Sequence, residues 1–110
     1  MNILDMLQDY CRRAPRKLTV LQLLEIIKNN HILVDDGCFV VFATAFDEVR
    51  ILCPYAPKGK SIVPLERKLA DLAKERGFKR LSLITDRPEA VGRKFPDYKP
   101  VGTLFEKRLD

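Results

Sequence analysis

The sequence predicts a mixed α/β (α+β) fold, a mixed but mostly antiparallel sheet flanked by helices. Three observations carry that reading. Apolar residues recur at helical spacing over residues 2–11, 19–28 and 61–76. Between residues 31 and 55, three apolar runs are separated only by tight-turn signals, the pattern of a strand meander. A Pro/Gly-rich loop, a long helix and a further apolar run at 80–85 follow the third strand, and parallel neighbours need a crossover of this kind. The 110 residues, 46% hydrophobic and 32% charged, suit one domain over 1–110. It divides into two N-terminal helices (1–30), a three-strand meander (31–55) and a loop–helix–strand–helix–strand half (56–110). No internal repeat or low-complexity tract breaks this order.

Residues 2–11 set Ile3, Leu4, Leu7 and Cys11 on one face and Asp5, Gln8 and Asp9 on the other, an amphipathic helix. Pro15 breaks it. Thr19-Val20-Leu21-Gln22 fits a capping box, so the second helix starts there and runs to about Lys28. Its apolar residues cover more than one stripe, which predicts deep burial. Asp35-Asp36-Gly37 is a hairpin turn between the 31–34 and 38–46 strands. The second of these is apolar on both faces, as a strand with neighbours on either side requires. Asp47-Glu48 reads as the next turn, and residues 49–55 as a strand stopped by Pro54 and Pro57. In the 61–76 helix, Ile62, Leu65, Leu69, Leu72 and Ala73 form the apolar stripe, while Glu66, Arg67, Lys68, Asp71, Lys74 and Glu75 face water. Pro64 sits in its first turn and Gly77 just past its end. Residues 80–85 form a strand, 88–94 a short helix with Asp86 as N-cap, and 99–101 and 103–109 a last pair of strand segments.

Charge narrows the partners. The net charge is +5, and residues 49–110 hold all of the excess, with 15 Lys/Arg against 8 Asp/Glu. Such a surface attracts a polyanion: nucleic acid, a phosphate-bearing cofactor or an acidic protein. Single-strand nucleic-acid binding needs aromatic platforms among the basic groups. Here Phe39, Phe42, Phe46, Phe78 and Phe105 lie in apolar contexts that read as core, so a nucleic-acid partner is disfavoured. The three cysteines, Cys11, Cys38 and Cys53, are widely spaced and have one histidine, His31, to help them. That donor set does not make a metal site, and reduced thiols in a cytoplasmic protein are the expectation. No apolar run approaches the roughly 18 residues of a membrane span, and no signal peptide is expected.

One segment carries chemistry: Cys53-Pro54-Tyr55-Ala56-Pro57-Lys58-Gly59-Lys60-Ser61-Ile62. A strand ends, a basic loop follows and a long helix begins. Backbone N–H groups at a helix start lack partners and the helix dipole adds positive charge, so the junction suits an anion such as a pyrophosphate. Gly59 allows close approach, and Lys58 and Lys60 add full charges. The spacing is not that of a Walker loop.

Residues 49–109 resemble the C-terminal half of a GNAT-family N-acetyltransferase. In that family a strand leads into a Gln/Arg-x-x-Gly-x-Gly/Ala loop and a long helix. Ala56-Pro57-Lys58-Gly59-Lys60-Ser61 matches at Gly59, has a small residue at Ser61 and departs at Ala56. Leu81-Ser82-Leu83-Ile84-Thr85 resembles the next strand. Ala90 and Tyr98-Lys99-Pro100-Val101-Gly102 are similar to the late helix and the Gly-Phe-x-x-Val-Gly ending.

The resemblance implies a GNAT-like fold that is N-terminally shortened, with the two N-terminal helices present and the first strand missing. Short chains of this kind are often phage-encoded. It implies acetyl-CoA as co-substrate, its pantetheine arm between two splayed parallel strands, here 49–55 and 80–85. Leu52 and Cys53 would pair with the arm, Pro54 would end the ladder, and Lys58, Gly59, Lys60, Ser61 and Ile62 would hold the pyrophosphate. An amine acceptor, small molecule or protein, attacks the thioester directly. Glu48, Asp86 or His31 is the candidate base. Arg93 occupies the place of the family's late-helix tyrosine and Phe95 has no proton to give, which leaves Tyr98 and Tyr55 as substitutes. The alternative is a catalytically inactive GNAT-like binding or assembly module of phage type that acts through a protein partner. Neither reading specifies an oligomeric state.

Overall fold

The computed structural model describes residues 2–14, 17–84, 88–101 and 104–109. Two helices come first, α1 (Ile3–Arg13) and α2 (Val20–Lys28). Asn2 caps α1 by accepting from the Asp5 N–H at 2.9 Å. The α2 capping box is complete, with Thr19 accepting from the Gln22 N–H and the Gln22 side chain from the Thr19 N–H. The meander follows as β1 (His31–Asp35), β2 (Cys38–Ala45) and β3 (Glu48–Tyr55). Asp36 and Gly37 both hold positive φ, at 51° and 75°, the demand of a type I′ hairpin turn. Then come α3 (Val63–Glu75), β4 (Arg80–Ile84), α4 (Pro88–Lys94), β5 (Lys99–Val101) and β6 (Leu104–Arg108).

The strands form a six-stranded sheet in the order β1-β2-β3-β4-β6-β5. Only β3 and β4 run parallel, joined by the α3 crossover; the other neighbours are antiparallel. Helices cover both faces. On one, Leu65, Leu69, Ala70 and Ala73 of α3 and Val91 of α4 pack on Val40, Val49, Ile51, Leu81 and Leu83. On the other, Met6 and Leu7 of α1 and Leu23 of α2 pack on Phe39, Val41, Cys53 and Tyr55. Burying each large side chain contributes about 1.5–3 kcal/mol, so both layers matter to a chain this short.

Several expectations are corrected. α2 is a surface helix: Leu23 is buried, but Leu21 is 76% exposed and Leu24 also faces water, because β1 and β2 offer one face to cover. Phe46 is not core. It sits with Asp47 in the β2–β3 turn, at φ 52°, fully exposed. In α3 the buried stripe takes Ala70 in place of Leu72, and Glu66 is only 4% exposed. Its carboxylate meets Lys107 and Tyr98 from β6 and the α4–β5 connection, so a charge predicted to face water is satisfied inside. α3 begins at Val63, not Ser61, since the Ser61 Oγ accepts from the Val63 N–H and caps the turn. β3 ends at Tyr55 as expected, but Pro54 lies within it and pairs with Val40 rather than stopping it. Cys38 and Cys53 are buried, Cys11 is half-buried, and none of the three is in a disulfide. Asp86 lies outside the described residues. No helix among the described residues is long and apolar enough to cross a membrane, and none of their His, Cys, Asp and Glu side chains cluster as a metal site.

Candidate functional site

The site begins with an extra residue in β3. Phe42 of β2 pairs with Ile51, but Val41 pairs with Cys53, so Leu52 has no opposite number and the strand bulges there. The consequence is visible in the cores. Val49, Ile51, Cys53 and Tyr55 share one parity, yet the first two face α3 and the last two face α1 and α2. The bulge has turned the strand over. At the same point β3 leaves β4: their parallel pairing runs from Glu48 with Arg80 to Ile51 with Leu83 and stops. From Cys53 to Tyr55, β3 keeps β2 as its neighbour, and among the described residues a wedge opens on the β4 side where the parallel ladder has ended. Pro54 costs no bond to β4, because β4 no longer pairs there.

The wedge leads to the predicted loop. The Lys60 N–H donates to the Pro57 carbonyl at 3.0 Å, with Gly59 third in the turn at φ 88°, where a type II turn needs glycine. A Cβ at Gly59 would meet nothing within 4 Å, so the residue answers to backbone conformation rather than crowding. Among the described residues, the N–H groups of Lys58, Gly59, Ser61 and Ile62 have no acceptor. They surround the start of α3, whose dipole adds positive charge. The two lysines differ. Lys58 is exposed and has no ion-pair partner among the described residues, whereas the Lys60 ammonium donates to the Asp36 carbonyl at 2.7 Å and carboxylate at 3.0 Å. Pro64 has no N–H, and the Val63 N–H is taken by Ser61. The donors for an anion are therefore mainly those of the loop and not of the first helical turn.

The other candidates are scattered. Tyr98 is buried on the α3 face and donates to Glu66 Oε1 at 2.8 Å. Lys107 Nζ lies 2.6 Å from the same oxygen and 5.3 Å from the Tyr98 ring centre. Burial first, then the Glu66 charge, push the Tyr98 hydroxyl far above its ordinary range. Glu48 is on the opposite face at the start of β3, paired with Arg50 at 3.0 Å. Tyr55 donates to Asp9 of α1 at 2.6 Å. Burial and that carboxylate push its hydroxyl up to about 12. The Tyr55 hydroxyl and then Arg12 hold Asp9 down at about 2. His31 stacks on Phe42 at 5.3 Å, two strands away from the wedge. Arg93 is exposed on α4, and Phe95 packs edge-on against Tyr98. The structure thus joins Leu52, Cys53 and the 58–62 loop along one path, and separates Glu48 from Tyr98 by the sheet.

Sequence reasoning missed Arg13, whose Nη1 donates to the Ala56 carbonyl at 3.0 Å and ties α1 to the loop. It also missed Glu66. Neither has a local signal, since each partner lies more than thirty residues away.

No family model matches the chain, and neither does any curated protein. Solved structures do. Gcn5 from Tetrahymena superimposes with a TM-score of 0.71 at 11% identity over 97% of this chain and 86% of its own. The GNAT-family N-acetyltransferase YhbS from Escherichia coli, in complex with CoA, gives 0.67 at 13% identity over 96% and 76%. The PaiA N-acetyltransferase from Thermoplasma acidophilum, in complex with coenzyme A, gives 0.58 at 20% identity over 82% and 71%. The chain has the fold of the GNAT acetyltransferases, as the resemblance in residues 49–109 implied.

Proposed function

We propose that this chain is an acyl-CoA-dependent N-acyltransferase that moves an acetyl group from acetyl-CoA to an amine by direct attack. One observation carries the reading: the bulge at Leu52 coincides with the end of the parallel β3–β4 ladder, and the strand runs into a glycine turn where the Lys58, Gly59, Ser61 and Ile62 N–H groups have no acceptor among the described residues. The fit is chemical. An extended amide-bearing arm needs an open strand edge, and the β3–β4 ladder ends at Ile51 with Leu83, just before Leu52. A pyrophosphate needs converging donors and cations, which Lys58, Gly59, Ser61 and Ile62 supply, with Lys60 beside them. Two of the structurally similar acetyltransferases were solved with CoA, which supports the same ligand class here.

In this reading the amine acceptor, small molecule or protein, approaches on the Glu48 face, and Glu48 is the candidate base for its proton. Tyr98, on the other face, is the candidate donor to the leaving thiolate, and its raised pKa keeps it protonated for that step. A second reading, an inactive module that binds a protein partner, is favoured by one fact. Both candidates are already engaged, Tyr98 with Glu66 and Glu48 with Arg50.

The test is isothermal titration with acetyl-CoA, with CoA and 3′,5′-ADP as controls, on the wild type, Gly59→Ala and Gly59→Glu. Saturable binding that survives Gly59→Ala better than Gly59→Glu is expected, since only the second turns a carboxylate toward the phosphates. No binding at millimolar ligand removes the enzyme reading. With binding in hand, turnover on an amine panel that Glu48→Gln and Tyr98→Phe both abolish, at unchanged affinity, selects catalysis over the inactive module.

A further inference from the structure

Once β3 leaves β4, something other than that ladder must hold its end. Tyr55 stacks on Phe39 of β2, ring centres 5.0 Å apart, and meets Tyr10 of α1 edge-on. Its hydroxyl donates to Asp9 Oδ2 at 2.6 Å. Arg13, one turn along α1, reaches the same Asp9 oxygen at 3.2 Å and the Ala56 carbonyl at 3.0 Å. Its guanidinium lies 5.9 Å from the Tyr55 ring centre. A hydroxyl, a carboxylate, a guanidinium and a carbonyl are thus joined across α1, the last residue of β3 and the first residue of the loop. Apolar packing of Met6 and Leu7 against Cys53 and Tyr55 already docks the helix. The polar set adds something packing does not, a fixed position for Ala56. Apolar contacts are non-directional, whereas one guanidinium nitrogen, Nη1, bonded to both the Asp9 carboxylate and the Ala56 carbonyl fixes distance and angle.

We propose that Asp9, Arg13 and Tyr55 are a positioning set that holds the wedge open at its loop end, so that the 58–62 turn presents its donors in register with the parted strands. The inference rests on the CoA reading for its ligand but not for its geometry. Arg13 is the residue to probe. Lysine keeps the charge beside Asp9, but its side chain is one bond shorter than the path to Nη1 and leaves its ammonium short of the point between Asp9 and Ala56.

The experiment compares full-length wild type, Arg13→Lys, Arg13→Met and Tyr55→Phe in two readouts. The first is the CoA dissociation constant by calorimetry. The second, which needs no ligand, is amide hydrogen exchange at Cys53 and Tyr55, with residues 69–73 of α3 as the internal reference. Both Arg13 variants should weaken CoA about tenfold, and Tyr55→Phe by a similar factor. In all three, Cys53 and Tyr55 should exchange about tenfold faster while the α3 amides stay unchanged. Full CoA affinity in Arg13→Lys with loss in Arg13→Met would make the arginine a mere charge and overturn the proposal. Uniform acceleration across α3, or none anywhere, would overturn it too. If wild type binds no CoA, the functional reading falls, and the exchange arm alone decides the positioning role. If Tyr55→Phe does not fold, the half-exposed Arg13 variants decide it.

Discussion

The two halves of β3 share a strand and an alternation of side chains, yet they do opposite work. From Glu48 to Ile51 the strand is paired on both sides and gives Val49 and Ile51 to the α3 core. From Cys53 to Tyr55 it pairs with β2 beyond the end of the β3–β4 ladder among the described residues, and Cys53 and Tyr55 enter the core under α1 and α2. One inserted residue separates structure from site. A sheet rarely offers free backbone groups in its middle, because unpaired buried amides are costly. A bulge between two packed faces ends one ladder while each half keeps its apolar partners.

The strongest way to break the comparison is to delete Leu52. Without the extra residue, Cys53 and Tyr55 swap faces or β3 shifts register, and either outcome strips the second core. A loss of at least about 5 kcal/mol is expected, comparable to the whole stability of a small domain. Leu52→Ala keeps the residue count and removes only a partly exposed side chain, so it should cost less than about 1 kcal/mol. Urea unfolding of the pair checks this. Equal effects would mean that the side chain, and not the count, sets the geometry.

How far this was legible can be argued from particular residues. Local chemistry was readable. Thr19 and Gln22 cap α2, Asp36-Gly37 turns the hairpin, and Gly77, at φ 86°, ends α3 as the Phe78 N–H bonds back to the Ala73 carbonyl. The loop at Gly59 was readable for the same reason. The bulge was not, because it exists only as a mismatch between two strands and leaves Val49, Ile51, Cys53 and Tyr55 in unbroken alternation. Leu52 and Cys53 came from the family resemblance, not from their own pattern. Glu66 was misplaced because helical periodicity knows nothing of Lys107.

That buried pair sharpens the contrast from the α3 side. Glu66 and Lys107 keep side-chain exposures of 5% and 11%, and Tyr98 closes the group. Glu66→Gln leaves the Lys107 ammonium facing a neutral amide and Asp97 alone, so roughly 3 kcal/mol of stability should go, by the cost of breaking buried pairs. Thermal unfolding reads it. CoA affinity should fall far less than in the Arg13 variants, since this network braces β6 and the loop before β5 rather than the wedge. Gly59→Ala should have a smaller effect on stability. A Cβ there meets nothing, and the positive φ alone costs about 1–2 kcal/mol.

The smallest effect is the most diagnostic, because pH addresses the α1 side of β3 without altering a core residue. Asp9 ionises at about 2 in the fold against an ordinary 3.8, so its share of stability is complete above pH 3.8 and disappears as pH falls toward 2. Tyr55 runs the other way. Its folded value of about 12 exceeds the ordinary 10, so its share is complete below pH 10 and is lost as pH rises through 12. One hydrogen bond therefore has two titration limits with opposite signs. Tyr55→Phe should flatten the alkaline limb that Tyr55 contributes and shrink the acid one, since the hydroxyl is the first cause of the lowered Asp9 value. Urea midpoints of wild type and Tyr55→Phe at pH 2.5, 7 and 11 make the comparison. Parallel curves at all three would mean that the bond holds nothing, and that β2 and apolar packing alone keep the end of β3 in place.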